Sequence, residues 1–393
     1  MSPHLLILSQ HFAPETGATA QLISDIAHSF NKKAQFKTHV YTAARQYKSQ
    51  NNVTVAPQYH FRKNTLLSKL LNGATFCLSS IGYILKNRNL YSAILVVSNP
   101  PFVGIVGALV RALTGIPFIF LCQDLFPESA INSGIIPDRG PLRFLFHHYS
   151  LLIFKASRSI IVLNPSMKRR IDNSYGISHK SHVIHNWSVV EASTINSNRS
   201  SSTLRSEWGL QDKFVVQYSG NFGLMHDMLT ILEAARSMSN TSTRFLFIGD
   251  GSKRHQLEAY AQLSSNIVLK PYQSRSDLRA SLSSCDISLI SMAFGSEGII
   301  SPSKLYGILS VGKPILFVGR YDSYIGDLIR QYNCGIIIEP GDPLSLRDAI
   351  ESLIDNSTLL EELSRNSLLA YANTFGIEKS IPKYLRIINQ ALG

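Results

Sequence analysis

An α/β protein of two Rossmann-like domains with parallel sheets is the fold class this sequence predicts, and three observations carry the prediction. The first is length: 393 residues exceed one ordinary core and suit two domains of about 200 residues each. The second is an alternation beyond Phe214. There the apolar runs FVVQYSG, RFLFIGDG, NIVLKPY, ISLISM, PILFVG and GIIIE are separated by amphipathic stretches such as Met228 to Met238, Ser276 to Ser284 and Pro343 to Ile354. Short apolar runs bounded by glycine read as buried parallel strands, and the stretches between them as crossover helices. The third is the same logic in the first half of the chain, ahead of a polar segment rich in Ser, Asn and Thr.

In chain order, His4 to Ser9 is the first strand, followed by a loop with Pro14, Gly17 and Ala18 and a helix over about Ala20 to Phe30. Further strands are predicted at Lys37 to Thr42, Ser92 to Val97, Ile116 to Leu121 and Ser159 to Leu163. The longest apolar stretch, Phe102 to Cys122, contains Arg111 and is broken at Gly115 and Pro117. It reads as a buried helix, a turn and a buried strand, with a monotopic membrane segment as the alternative. The polar segment gives boundaries of 1–190 for the first domain, 191–206 for a linker and 207–374 for the second. The tail, 375–393, contains Pro382 and an amphipathic piece from Tyr384 to Leu392, and is expected to pack back on the first domain. A cleft between the domains completes the expected architecture.

The most informative segment is SPSKLYGILSVGKPILFV, Ser301 to Val318. Ser301 suits an N-cap and Pro302 the first helical position, so free amides near Ser303 and Lys304 would face an anion at the positive end of a helix dipole. The bland alternative is a helix start with a solvated lysine. Gly220, Gly223, Gly249 and Gly251 are the small residues expected where strands of such a sheet meet their ligands.

Charge is uneven. Residues 1–190 hold 19 Lys and Arg against 6 Asp and Glu, whereas the remainder hold 19 against 20. A basic first domain implies an anionic partner. Its basic pairs lack the aromatic interleaving or helix-turn-helix pattern of a nucleic-acid module, so an acidic membrane surface is expected and nucleic acid is not. The apolar segments Leu66 to Leu85 and Phe144 to Phe154 could add insertion to attraction. Cys77, Cys122, Cys285 and Cys334 lie far apart in apolar contexts, which predicts buried thiols in a reducing cytoplasm. The run Leu5 to Leu8 is too short for a secretory signal.

Seven segments in order, LLILSQHFAPETGA, SNPPFVG, CQDLFPESAINSGII, VIHNW, YSGNFG, FIGDGSKR and PSKLYGILSVGKPIL, together resemble the group 1 glycosyltransferases of family 4. These are retaining sugar-nucleotide enzymes of GT-B fold, and the likeness is to the O-antigen, capsule and colanic-acid branch. The resemblance implies a nucleoside diphosphate sugar as donor, UDP-linked and of N-acetylated amino-sugar type among the options. It also implies a polyprenyl-diphosphate-linked sugar acceptor at the inner face of the cell membrane, and no metal or cofactor.

The same resemblance gives Gly17 a place in a turn where backbone approaches donor phosphate or acceptor, with an ordinary strand-to-helix turn as the alternative. Asp124 would orient the acceptor hydroxyl or receive its hydrogen, with Glu128 beside it; helix capping by Asp124 is the alternative. Lys304, Ser301 and Ser303 would hold the diphosphate with Gly220, Gly223 and Gly251. The family's usual Arg and Lys on that diphosphate are replaced by Asn221 and His226, the latter read as an exposed loop histidine. Gly307 stands where the second Glu of an ExxxxxxxE motif is expected, while Glu297 lies nearby but out of register with the first. A non-hydrolysing sugar-nucleotide epimerase and a non-catalytic assembly protein at the membrane surface are the competing readings. A dehydrogenase lacks its GxGxxG after the first strand.

Overall fold

The computed structural model describes residues 3–15, 17–33, 36–44, 52–57, 66–188, 203–238 and 242–392. The chain divides into two compact units, the first made of Met1–Asn186, Gly298–Ser301 and Ile377–Gly393, the second of Trp187–Glu297 and Pro302–Gly376.

Unit 1 alternates strand and helix: β1 His4–Ser9, α1 Ala18–Lys32, β2 Lys37–Thr42, β3 Val53–Val55, α2 Leu66–Lys86, β4 Ala93–Val97, α3 Gly104–Thr114, β5 Phe118–Cys122. It continues with α4 Glu128–Asn132, α5 Pro141–Ala156, β6 Ser159–Val162, α6 Pro165–Tyr175 and β7 Ser181–Val183. The seven strands pair in parallel in the order β3-β2-β1-β4-β5-β6-β7. β4 and β5 are buried at every position, which is why AILVV and FIFLC read as continuous apolar runs rather than alternating ones. The stretch Phe102 to Cys122 is α3, a left-handed Gly115 cap at φ 76°, and β5.

Unit 2 holds α7 Thr203–Glu207, β8 Phe214–Ser219, α8 Leu229–Ser237, β9 Thr243–Ile248, α9 Arg254–Leu263, β10 Ile267–Lys270, α10 Leu278–Ser283 and β11 Ile287–Ser291. It ends with α11 Lys304–Ser310, β12 Ile315–Val318, α12 Tyr324–Tyr332, β13 Gly335–Ile338, α13 Pro343–Asp355 and α14 Ser357–Thr374. Its six parallel strands run β10-β9-β8-β11-β12-β13, the doubly wound order. Phe245, Phe247, Leu289, Leu316 and Val318 from the sheet meet Ile231, Leu232, Leu346 and Ile350 from the helices in one apolar core.

Three expectations about elements are corrected or made specific. Of the expected linker 191–206, residues 191–202 lie outside the described residues, but 203–206 belong to α7 and are anchored. Arg205 is 5% exposed and donates to both carboxylate oxygens of Asp286, 4% exposed, at 3.3 and 3.2 Å, while Asp286 also accepts from the Val215 amide at 2.8 Å. Breaking such a buried, hydrogen-bonded pair leaves an uncompensated charge and costs about 3 to 5 kcal/mol, so this arginine ties α7 to β8 through Asp286. Secondly, the tail is one helix, α15 Ile377–Leu392, running through Pro382. Its face of Ile381, Tyr384, Leu385 and Ile388 is buried, and that burial offsets the proline's penalty of about 3 kcal/mol. α15 packs against α1, β4 and β5 of unit 1, and Ser380 Oγ donates to the His185 carbonyl at 2.8 Å.

The third correction concerns Ser301. α11 is a seven-residue helix that starts at Lys304 with Ser303 at its N-cap position, so Ser301 is not its N-cap and groups with unit 1. Pro302 lies a turn ahead of the regular helix, contributing its carbonyl to the Leu305 amide at 3.2 Å. All four cysteines are buried free thiols.

Candidate functional site

In unit 2 the strand order reverses between β8 and β11, so the loops leaving these strands diverge at their carboxyl ends, where ligands of doubly wound sheets bind. The loops after β8 and β9 are pressed together backbone to backbone. Gly220 N bonds Ile248 O at 2.8 Å, Phe222 N bonds Asp250 O at 2.9 Å, and Lys253 N bonds Phe222 O at 2.9 Å. Glycine is required twice. A Cβ on Gly249, at φ 141°, would stand 2.1 Å from Gly220 O; one on Gly251, at φ 154°, would stand 2.6 Å from Asn221 Oδ1 and the Phe222 amide. Asn221 therefore lodges its side chain between the glycines at 223 and 251.

Lys304 reaches back over this platform. Its Nζ lies 3.6 Å from the centroid of the Tyr218 ring, and its Cε is 3.2 Å from where a Gly220 Cβ would sit. The residue as a whole is half-buried, but its ammonium is buried and has no hydrogen-bond partner. Burial pushes its pKa well below the usual lysine value. The Tyr218 face compensates a desolvated cation by only about 2 kcal/mol, far less than the water it replaces. An ammonium held this way is primed for an anion. Of the anion site expected from the SPSK string, only the lysine side chain remains as a candidate, because the helix behind it is too short and begins too late for the cap that was expected. Ser303 is exposed beside it.

His226 is corrected from an exposed loop residue to a buried one, 8% exposed. Its Nδ1 lies 2.7 Å from the Ser291 carbonyl. Burial, then the charges of Lys304 and Lys253, hold its pKa down to about 3. It supplies no positive charge near neutral pH. Since a carbonyl only accepts, Nδ1 carries the hydrogen and Nε2 is left as an acceptor.

Glu297, half-buried, has its pKa raised by desolvation, against the pull of Arg320. Arg320 itself is held by Asp322 through two bonds of 2.8 Å and lies over Phe294 at 5.3 Å. Gly307, where a second Glu was expected, faces the core: a Cβ there would stand 3.0 Å from Leu282 Cδ1.

In unit 1 the corresponding reversal lies between β1 and β4. Gly17 is the N-cap of α1 at φ −64°, exposed, with nothing within 4 Å of a built Cβ, so neither packing nor backbone conformation demands glycine there. Asp124 follows β5 and is held by its neighbours: the Gln123 amide bonds Ser98 Oγ at 2.9 Å and the Leu125 amide bonds Ile299 O at 2.9 Å. The side chain is exposed, yet desolvation raises its carboxyl to about 6. Water touches the carboxylate while the protein crowded around it limits its solvation. Asp124 does not cap α4, whose N-cap is Pro127. Glu128 opens α4 and accepts from Tyr175 Oη at 2.9 Å, which gives it a structural partner within unit 1.

Two family models match this chain, Glycosyltransferase Family 4 over residues 21–188 and Glycosyl transferases group 1 over residues 200–369. The chain belongs to the group 1 glycosyltransferases. It is 26% identical over 269 residues to the probable glycosyltransferase WbjE of Pseudomonas aeruginosa, covering 66% of this chain and 65%, just under two thirds, of that relative. It is 23% identical to the putative colanic acid biosynthesis glycosyl transferase WcaI of Escherichia coli over 80% of this chain and 78% of that one. The crystal structure of Anabaena HepE in complex with UDP and glucose superposes with a TM-score of 0.74 at 15% identity, over 98% of this chain and 99% of that one. The fold is GT-B.

Sequence reasoning about this group 1 glycosyltransferase missed Lys253, whose Nζ lies 2.5 Å from the His226 carbonyl. It brings a second ammonium to the loop that lacks the family's Lys. The signal was present in FIGDGSKR, but a lysine two residues past a glycine turn is ordinarily solvated. Also missed was the pair His11 Nδ1 and Glu15 Oε2, 2.7 Å apart in the loop ahead of Gly17.

The buried histidines make an acid-lability prediction. His185 Nδ1 donates to Leu163 O at 2.9 Å, and burial lowers its pKa to about 4. For His185 and His226 the folded pKa is below the unfolded 6.5, so protons bind the unfolded chain first and stability is lost as pH falls from 6.5 toward the folded values. Each contributes a slope of at most about 1.4 kcal/mol per pH unit. Asp124, raised to about 6, acts in the opposite sense between its unfolded 3.8 and that value, but it is exposed and single. Urea midpoints should fall between pH 7 and pH 5, and His226→Gln should flatten the dependence. A midpoint independent of pH would contradict the buried neutral histidines.

Proposed function

We propose that this protein transfers a sugar from a nucleoside diphosphate sugar, with retention of anomeric configuration, to a hydroxyl of a lipid-linked acceptor in bacterial surface polysaccharide assembly. The observation that carries the reading is the buried, unpartnered Lys304 ammonium against Gly220. As the bond from the sugar's anomeric carbon to the diphosphate oxygen breaks, negative charge grows on the β-phosphate, where Lys304 and Lys253 stabilise it. The acceptor oxygen bonds to the anomeric carbon from the same face, and Asp124 orients that hydroxyl and takes its hydrogen. His226 Nε2, as an acceptor, suits a donor hydroxyl. This arrangement requires no metal, since the two ammoniums carry the leaving group's charge. UDP is the proposed nucleotide because HepE is solved with UDP and glucose. The likeness to WcaI, a putative colanic acid biosynthesis glycosyl transferase, supports a role in polysaccharide assembly; the cytoplasmic place at the inner face of the membrane is part of the proposal. In this reading unit 2 binds the donor and unit 1 the acceptor.

The test supplies purified protein with a panel of sugar nucleotides, with and without a polyprenyl-diphosphate-linked sugar. Nucleotide release that depends on the acceptor, with the product anomer matching the donor by NMR, is expected. Sugar interconversion without acceptor would replace the reading with epimerisation, and no turnover with any donor would remove catalysis from it.

A further inference from the structure

The helices α2, α3 and α5 form one layer on unit 1, with α2 packed on α3 and α3 on α5. Their inner faces are accounted for. Phe76 stacks on Tyr41 of β2, Gly107 lets α3 lie against Phe118 of β5, and Phe154 packs on Phe120. The outer faces are apolar too, which a solvated crossover layer does not need. On α2, Leu67, Leu71 and Leu78 recur at helical spacing, with Leu67 65% and Leu78 70% exposed. On α3, Leu109 and Leu113 are exposed one turn apart, and on α5 Leu145 and Leu152 two turns apart. Half of the exposed large hydrophobics among the described residues, ten of twenty, lie on these three helices. Elsewhere they are scattered.

The charge on this layer has one sign. The three helices hold Lys69, Lys86, Arg111, Arg143 and Lys155 and no Asp or Glu. Arg111 is tied to the Ala156 carbonyl and Arg143 to Asp138, while Lys86 and Lys155 are exposed. No described helix is long and apolar enough to cross a membrane.

We propose that the outer face of α2, α3 and α5 docks on an anionic lipid bilayer, with leucines entering the interface and the basic residues meeting headgroups. Apolar exposure on three adjacent helices is more than single exposed leucines require, and helices that carry basic residues and no acid of their own complement acidic lipid. A second copy of the chain would bring the same positive sign to the contact, which disfavours it as the occupant. The inference is independent of the transfer reaction, because its test uses neither donor nor acceptor.

The full-length protein is floated with vesicles of phosphatidylcholine alone or with about a third phosphatidylglycerol, in low and high salt. Binding at least about tenfold stronger to the acidic vesicles is expected, falling in high salt by Debye screening but leaving a residue held by insertion. The double variant L78E/L113E should lose at least about tenfold in binding with an unchanged melting temperature, whereas L263E, equally exposed on unit 2, should bind as the parent does. Equal binding to both vesicle types, or a double variant that binds normally, would overturn the proposal. So would a dimer by light scattering that L78E/L113E dissociates, which would give this face to a second copy.

Discussion

Lys304→Met should slow sugar transfer by more than tenfold while leaving the protein at least as stable as the parent. Those two outcomes come from one fact, that the Lys304 ammonium is buried without a hydrogen-bond partner. In the free protein it is an uncompensated, desolvated cation, and replacing it with an apolar side chain of similar length removes that cost. With donor bound it faces growing phosphate charge, and one charge-assisted contact of about 1.5 to 3 kcal/mol corresponds to roughly ten- to more than a hundredfold in rate. A lysine with a merely structural role would show the reverse pattern, lost stability with unaltered turnover. Turnover with saturating donor and acceptor, measured beside a urea titration, separates the two. Unchanged kinetics would remove Lys304 from the site.

The elements were legible where physics acts locally. His4–Ser9 and Lys37–Thr42 are strands at the boundaries the apolar runs predict, and β4, β5 and β6 end within two residues of theirs. Fully buried parallel strands must be apolar throughout, so the sequence displays them directly. The miss at Ser301 and the helix that runs unbroken through Pro382 share one cause, tertiary packing overriding a local rule. Ser-Pro is a good helix start in isolation, yet here the chain returns from unit 1 to unit 2 at that dipeptide, and regular helix begins three residues on. Pro382 should end a helix, yet four buried side chains on one face of α15 hold it together. The site was legible as residue types but not as environments. His226 reads as a loop histidine because nothing in the sequence says that the Ser291 carbonyl waits for it 65 positions away. Lys253 came to the site only through the pairing of the β8 and β9 loops, a contact no spacing reveals.

Asp124→Asn should leave donor affinity within about twofold and cut turnover by about a hundredfold or more, the usual range for a lost general base. The substitution conserves shape, and the backbone anchors at Gln123 and Leu125 do not involve the carboxylate, so the loop should keep its course. What disappears is the ability to take a hydrogen from the acceptor. The parent carboxyl is raised to about 6 by desolvation, and the ionised form is the active one. Turnover should therefore climb as pH rises from 5 to 7 and level off above, and the Asp124→Asn protein should lack that limb. Retention of the limb would assign it to another group. If the variant instead loses nucleotide binding and keeps its rate at saturation, Asp124 belongs to the donor, and the roles proposed for the two units exchange.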